Sequence, residues 1–286
     1  MMRTMIHATR FLIAAVTASL LAACGGSEEP KPSINNMAVT PAAYGRTAVW
    51  SIGGLNLDKG ITLVITTGSC DNVAEVAGGT ASQRQFTCRP SSLGELVGQV
   101  NELGGGRLGS LKVVIPTPMV QLSLAQGTIE LELDPEKAPI TVNNFLNYVN
   151  SNFYNNTIFH RVIADFVIQG GGYTPGTPNP TPKTPTQQPI VLESNNGLSN
   201  LRGTLAMARS SEPNSATSQF YINVVDNPSL DYKSEQEPGY AVFGTVTAGM
   251  DVVDAISVVP TRSVPSLGLT NLPVTNIIVT AARQIR

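Results

Sequence analysis

From Ala48 to Ile115 short apolar runs alternate with glycine-rich breaks. Ala48–Ile52, Ile61–Thr67, Gln85–Cys88, Leu96–Val100 and Leu111–Ile115 have strand-like patterning, and Gly53-Gly54, Gly78-Gly79 and Gly104-Gly105-Gly106 fall between runs. Runs at intervals of roughly 10–15 residues predict an all-β sandwich, here immunoglobulin-like and spanning residues 34–118. Pro116-Thr117-Pro118 stiffens the next link and marks a boundary. Beyond it, Met119–Leu124 and Thr128–Leu133 flank a Gln126-Gly127 turn and predict a hairpin. Val142, Phe145, Leu146 and Val149 then fall at i, i+3, i+4 and i+7, the apolar stripe of a helix over Ile140–Asn150.

The run Phe159–Gly172 (FHRVIADFVIQGGG) sets a cation and an amide in an apolar, strand-forming context. A spacing of two places Phe159 and Arg161 on one strand face and His160 on the other. Val167 and Gln169 share a face, with Ala164-Asp165 as a possible interruption. Residues 174–189 hold six prolines and predict an extended, solvated segment that is no sheet strand. A second helix is predicted over Gly249–Ile256 and a closing strand over Val274–Ala281.

Composition narrows the class. The chain is 42% hydrophobic and 13% charged, which fits a folded protein with a core, and Trp50 is read as part of it. A net charge of −2 without a Lys/Arg block argues against a nucleic-acid partner. Residues 1–23 read as a secretory signal peptide: Arg3 and Arg10 precede the apolar run Phe11–Ala23, which is too short to span a bilayer. Leu21-Ala22-Ala23-Cys24 resembles a bacterial lipobox, with Cys24 lipidated and residues 24–33 as a tether; the alternative is an ordinary signal peptide cut nearby. By analogy, Gly25 after the cysteine favours anchoring at the outer membrane, facing the periplasm. Export leaves Cys70 and Cys88 as a pair, read as a disulfide stapling the sandwich, the alternative being two buried thiols. Removal of His7 with the signal leaves His160 as the one histidine, which disfavours Ser-His-Asp hydrolysis and His-rich metal sites. Neither a metal cluster nor a nucleotide loop is legible, so no cofactor is expected.

An arginine beside an apolar patch with an amide nearby suits an uncharged polar ligand such as a peptide; one cation is a poor phosphate site. Phe159–Gly172, Gly203–Arg209 (GTLAMAR), the stretch from Pro213 to Asn223 (PNSATSQFYIN), Gly239–Gly244 (GYAVFG) and the opening Gly127–Asn144 together resemble the cyclophilins, the prolyl cis–trans isomerases. The motifs follow the family's order and nearly its spacing over about Met119 to Arg286. The resemblance implies a mainly β protein with a closed eight-stranded barrel over 119–286, capped by two helices. It implies Arg161, Phe166 and Gln169 as catalytic residues, with Val167, Tyr221 and Leu230 joining Phe166 around a proline ring. The main chain at Ala208 and Arg209 would pair with the peptide, Gln219 would line the neighbouring groove, and Tyr240 stands where many members have His. His160 is read as structural.

Departures from the family pattern are Ser229 for a usual Trp or Phe, Val167 for Met, Tyr221 for Phe and Arg209 for Asn. Ser229 removes one pocket wall and argues against cyclosporin binding. The implied activity is X-Pro isomerisation during folding of exported proteins, by a monomer whose partners are proline-containing peptides and unfolded exported chains. The alternative is a non-catalytic peptide-binding or scaffold module.

Overall fold

The computed structural model describes residues 30–286. The expected signal peptide, Cys24 and most of the 24–33 tether therefore lie outside the described residues.

Seven strands come first: β1 (Ser33–Thr40), β2 (Ala48–Leu55), β3 (Ile61–Thr67), β4 (Cys70–Glu75), β5 (Gln83–Pro90), β6 (Gly94–Glu102) and β7 (Arg107–Ile115). They form two antiparallel sheets in the orders β1-β2-β5-β4 and β3-β6-β7, the strand order of a constant-type immunoglobulin sandwich. Alternation along β2 turns Ala48, Trp50 and Ile52 into the core. The Trp50 ring crosses to the second sheet, where a Cβ on Gly98 would come within 2.5 Å of it. Its indole N–H donates to the Cys88 sulfur at 3.3 Å.

Cys70 and Cys88 are disulfide-bonded, as expected, but the bond joins neighbouring strands β4 and β5 of one sheet and does not fasten the sheets to each other. It secures a strand with little else to hold it, because five of the six residues of β4 (CDNVAE) are exposed. β1 and β4 are the two edges of their sheet; a bulge between Ile34 and Asn36 breaks the apolar alternation of β1, and β4 has none.

The barrel follows: β8 (Met119–Leu124), β9 (Gly127–Leu133), helix α1 (Pro139–Asn150), β10 (Thr157–Ile163), β11 (Val167–Gly170), β12 (Tyr173–Thr174), β13 (Thr181–Pro182), β14 (Thr204–Met207), β15 (Phe220–Asn223), β16 (Val242–Ala248), helix α2 (Met250–Ser257), β17 (Thr261–Val264), β18 (Leu269–Pro273) and β19 (Ile277–Gln284). Eight of these strands close in the order β10-β11-β15-β14-β16-β9-β8-β19. Phe145 projects from α1 into the barrel, its ring centroid 5.2 Å from Tyr154, 5.4 Å from Phe220 and 5.2 Å from Phe243. The N-terminus of α1 has no side-chain cap of its own. Instead Glu193 accepts from the Ile140 and Thr141 amides at 3.1 and 2.7 Å, placing a carboxylate at the positive end of the helix.

Two expectations need correction. The proline-rich segment does contain sheet structure, for Thr181–Pro182 pairs with Tyr173–Thr174. A two-residue ribbon needs few ladder bonds, so the missing proline N–H costs little there. The closing strand begins at Ile277 rather than Val274, because the chain before it is taken up by the unpredicted β17–β18 hairpin.

The sandwich rests on the outer side of α1. Arg89 of β5 donates to the Asn143 and Asn147 side-chain oxygens at 3.2 and 3.0 Å, one turn apart on the helix. Asn143 in turn donates to the hydroxyl of the buried Tyr44, and Gln284 of β19 to the Tyr44 carbonyl. Residues 32–286 thereby form one compact unit.

Candidate functional site

On the outside of the barrel, β10, β11, β14 and β15 border a cavity of about 220 Å³ lined by Arg161, Phe166, Val167, Gln169, Ala208, Arg209, Tyr221, Leu230 and Tyr240. Nine of the ten residues singled out for catalysis or substrate contact thus surround one space. The tenth, Gln219, lies behind Gln169, accepting from its amide at 2.9 Å. Gln219 packs so closely on Gly172 that a Cβ there would come within 2.6 Å of its side chain, which accounts for the last glycine of the GGG run.

Phe159 and Arg161 do not share a face. In the β10–β11 pairing Phe159 opposes Gly170 and Arg161 opposes Gln169, so His160 is an extra residue in a β-bulge. Phe159 and Val162 both enter the barrel core, while Arg161 is turned out into the cavity. Val167 and Gln169 do share the cavity face, and Ala164–Phe166 form a turn between the strands, with Asp165 at φ 54°. Arg161 Nη1 donates to Gln169 Oε1 at 3.3 Å, and its guanidinium carbon lies 5.8 Å from the Phe166 ring centroid. The cation is therefore held between an amide and an aromatic face at the rim of an apolar slot. Ser229 is exposed and does not line the cavity.

Beneath the slot runs a polar network that the motifs did not reveal. The Tyr221 hydroxyl donates to Asn200 Oδ1 at 2.7 Å, and the Asn200 main-chain and side-chain N–H groups donate to Asp231 Oδ1 at 2.6 and 2.9 Å. Asn223 donates to Asn200 and Thr204, and Asn227 donates to the Phe166 carbonyl at 3.0 Å. Burial pushes the Tyr221 phenol far up, so it stays a neutral donor. Three walls of the slot, at Tyr221, Phe166 and the Leu230–Asp231 turn, are tied to one set of buried amides. The available sequence signal was Asn223, a fully buried amide in an apolar strand.

His160 sits 2% exposed against Tyr173, with ring centroids 4.6 Å apart. Burial lowers its pKa from 6.5 to about 4, so it is neutral at physiological pH. The unfolded chain binds this proton first. Its contribution to stability is thus fully present above pH 6.5 and is lost as pH falls towards 4; the full shift is worth on the order of 3 kcal/mol. Urea melts between pH 4 and 7 are expected to show a shallower acid loss in His160→Gln than in the native chain. Parallel pH slopes would refute this.

A larger cavity of about 580 Å³ lies where β9, β16 and the 197–201 loop meet Leu93 and Thr117. Its Glu132 is paired with Arg286, and Asp134 Oδ1 accepts from the Glu136 and Lys137 amides, so these carboxylates are already engaged. It holds no residue of the motifs around Arg161 and Gln169.

Residues 119–284 match the family described as cyclophilin type peptidyl-prolyl cis-trans isomerase/CLD, which leaves the sandwich outside the match. A peptidyl-prolyl cis-trans isomerase A of Dickeya dadantii is 50% identical over 167 residues, covering 58% of this chain and 84% of its own length. The peptidyl-prolyl cis-trans isomerase B of Escherichia coli is 54% identical over 145 residues, 50% of this chain and 86% of its own. A solved Cryptosporidium parvum cyclophilin type isomerase, crystallised in the presence of the dipeptide Ala-Pro, aligns with a TM-score of 0.49 at 28% identity, over 59% of this chain and 99% of its own.

Proposed function

Because the chain belongs to the cyclophilin-type peptidyl-prolyl cis–trans isomerases and has their activity, we propose that Arg161 drives X-Pro rotation at the cavity it borders and that the substrates are exported proteins during folding. Peptide rotation is opposed by a barrier of about 18–20 kcal/mol from amide resonance, and no covalent bond has to break. A catalyst needs only to bind the twisted amide better than either planar form. The proline ring enters the slot between Phe166, Val167, Tyr221 and Leu230, while Gln169 and the main chain at Ala208 and Arg209 hold the peptide extended. Arg161 directs a donor at the prolyl nitrogen, whose lone pair becomes available only as resonance is lost, so this bond strengthens in the transition state. The observation that carries the reading is the placement of the Arg161 guanidinium at the mouth of an apolar slot, steadied by Gln169 and Phe166.

The signal pattern and the lipobox-like Leu21–Cys24 support a periplasmic monomer tethered to the outer membrane through lipidated Cys24, with residues 34–118 as a spacer or protein-binding domain packed on a 119–286 isomerase domain. NMR exchange spectroscopy on an Ala-Pro peptide tests the catalytic reading. Cross-peaks between cis and trans signals should grow with added protein; binding without faster exchange would instead identify a non-catalytic peptide module.

A further inference from the structure

Two guanidinium groups, not one, border the slot. Arg161 and Arg209 both line the cavity, and no Asp or Glu does. Among the described residues the ion pairs involve other cations, so neither arginine has a carboxylate partner. Arg209 is nevertheless firmly held. Its Nε donates to the Gly239 carbonyl at 2.9 Å, its Nη1 to the Ser210 and Ser211 carbonyls at 3.0 and 3.3 Å, and its guanidinium lies 4.7 Å from the Tyr240 ring centroid.

Carbonyl oxygens and a ring face fix this cation without neutralising it. Among the described residues Nη2 has no hydrogen-bond partner, which leaves a donor of a preorganised, half-buried cation for a ligand. Such a group loses little side-chain entropy on pairing, and its field is less screened than that of an open surface charge. The chain as a whole is acidic at −2, so the positive rim is a property of this site.

We propose that Arg209 determines specificity: the site prefers proline peptides that carry a carboxylate within two residues of the proline, and disfavours those with an ammonium there. This rests on the isomerase reading of the same cavity. Arg161 is committed to the prolyl nitrogen and to Gln169, whereas Arg209 is the cation left to meet a flanking side chain.

The test compares peptides identical except for Glu, Gln or Lys before the proline, then the same set after it. At low ionic strength kcat/KM for the favoured Glu peptide should exceed that for its Lys counterpart by about tenfold, with Gln between, and the gap should shrink in about 0.5 M salt. Arg209→Glu should reverse the order, and Arg209→Lys should preserve it. A merely structural role would lower all peptides alike and leave their ranking untouched. Equal turnover of Glu and Lys peptides by the native chain, or a ranking unmoved by Arg209→Glu, would overturn the proposal. If Arg209→Glu fails to fold, the native salt dependence and Arg209→Gln, in which the preference should vanish, decide it. If the native chain turns over none of the peptides, it is the isomerase reading that falls, and NMR titration of the same peptides then ranks them by affinity.

Discussion

Arg161→Ala will lower kcat/KM on a short X-Pro peptide by about 100-fold, the lower end of what removal of one preorganised transition-state donor costs. Most of the loss should fall on kcat, because the donor is asked to act on a nitrogen whose lone pair is engaged in the planar substrate. The slot itself should survive, since its floor is tied by Asn200 and Asn227, not by Arg161. Peptide binding should therefore change much less than turnover. Arg161→Lys is expected to recover little, because an ammonium cannot bond Gln169 and present a second planar donor at once. A variant that keeps more than half of native turnover would remove Arg161 from the mechanism.

The largest expected effect on stability comes from Phe145→Ala, at about 4 kcal/mol. Phe145 is fully buried and packs its ring against Tyr154, Phe220 and Phe243, so this side chain fastens α1 to the barrel interior. The melting temperature should fall by roughly 10 °C for a unit of this size. Phe145→Leu keeps most of the apolar volume and should lose much less. Phe220 is also next in sequence to Tyr221 of the slot, so the alanine variant should lose affinity for proline peptides well below its melting point. Calorimetry and a peptide titration on the same sample check both halves, and a loss below 1 kcal/mol would show that the ring cluster does not hold the helix.

Much of the fold could be read from periodicity. The α1 stripe through Val142, Phe145, Leu146 and Val149, the β8–β9 hairpin and five sandwich strands all follow apolar spacing, and all four stripe residues are buried. What escaped had weak or broken periodicity. β4 is a polar edge strand, the alternation of β1 is broken by a bulge, and the ribbon at Thr181–Pro182 depends on the turn that brings it back to Tyr173. The bulge at His160 inverts the face assigned to Arg161, because strict alternation cannot register an inserted residue. The cavity residues were legible only through ordered motifs; by composition alone Phe166 and Leu230 are ordinary core. Of the polar groups below them only Asn223 left a trace, as an amide in an apolar strand; Asn200, Asn227 and Asp231 join it only when separate loops and strands converge.

The chain has a single tryptophan, and its indole touches a disulfide sulfur inside the sandwich. Disulfides quench indole emission, so native fluorescence should be dim and should brighten when the sandwich opens or the bond is reduced. That signal reports on one part of the molecule alone, while peptide turnover reports on the other. Recording both during a denaturant titration would reveal whether the Arg89–α1 contact makes the two parts melt together, with no dye or label added.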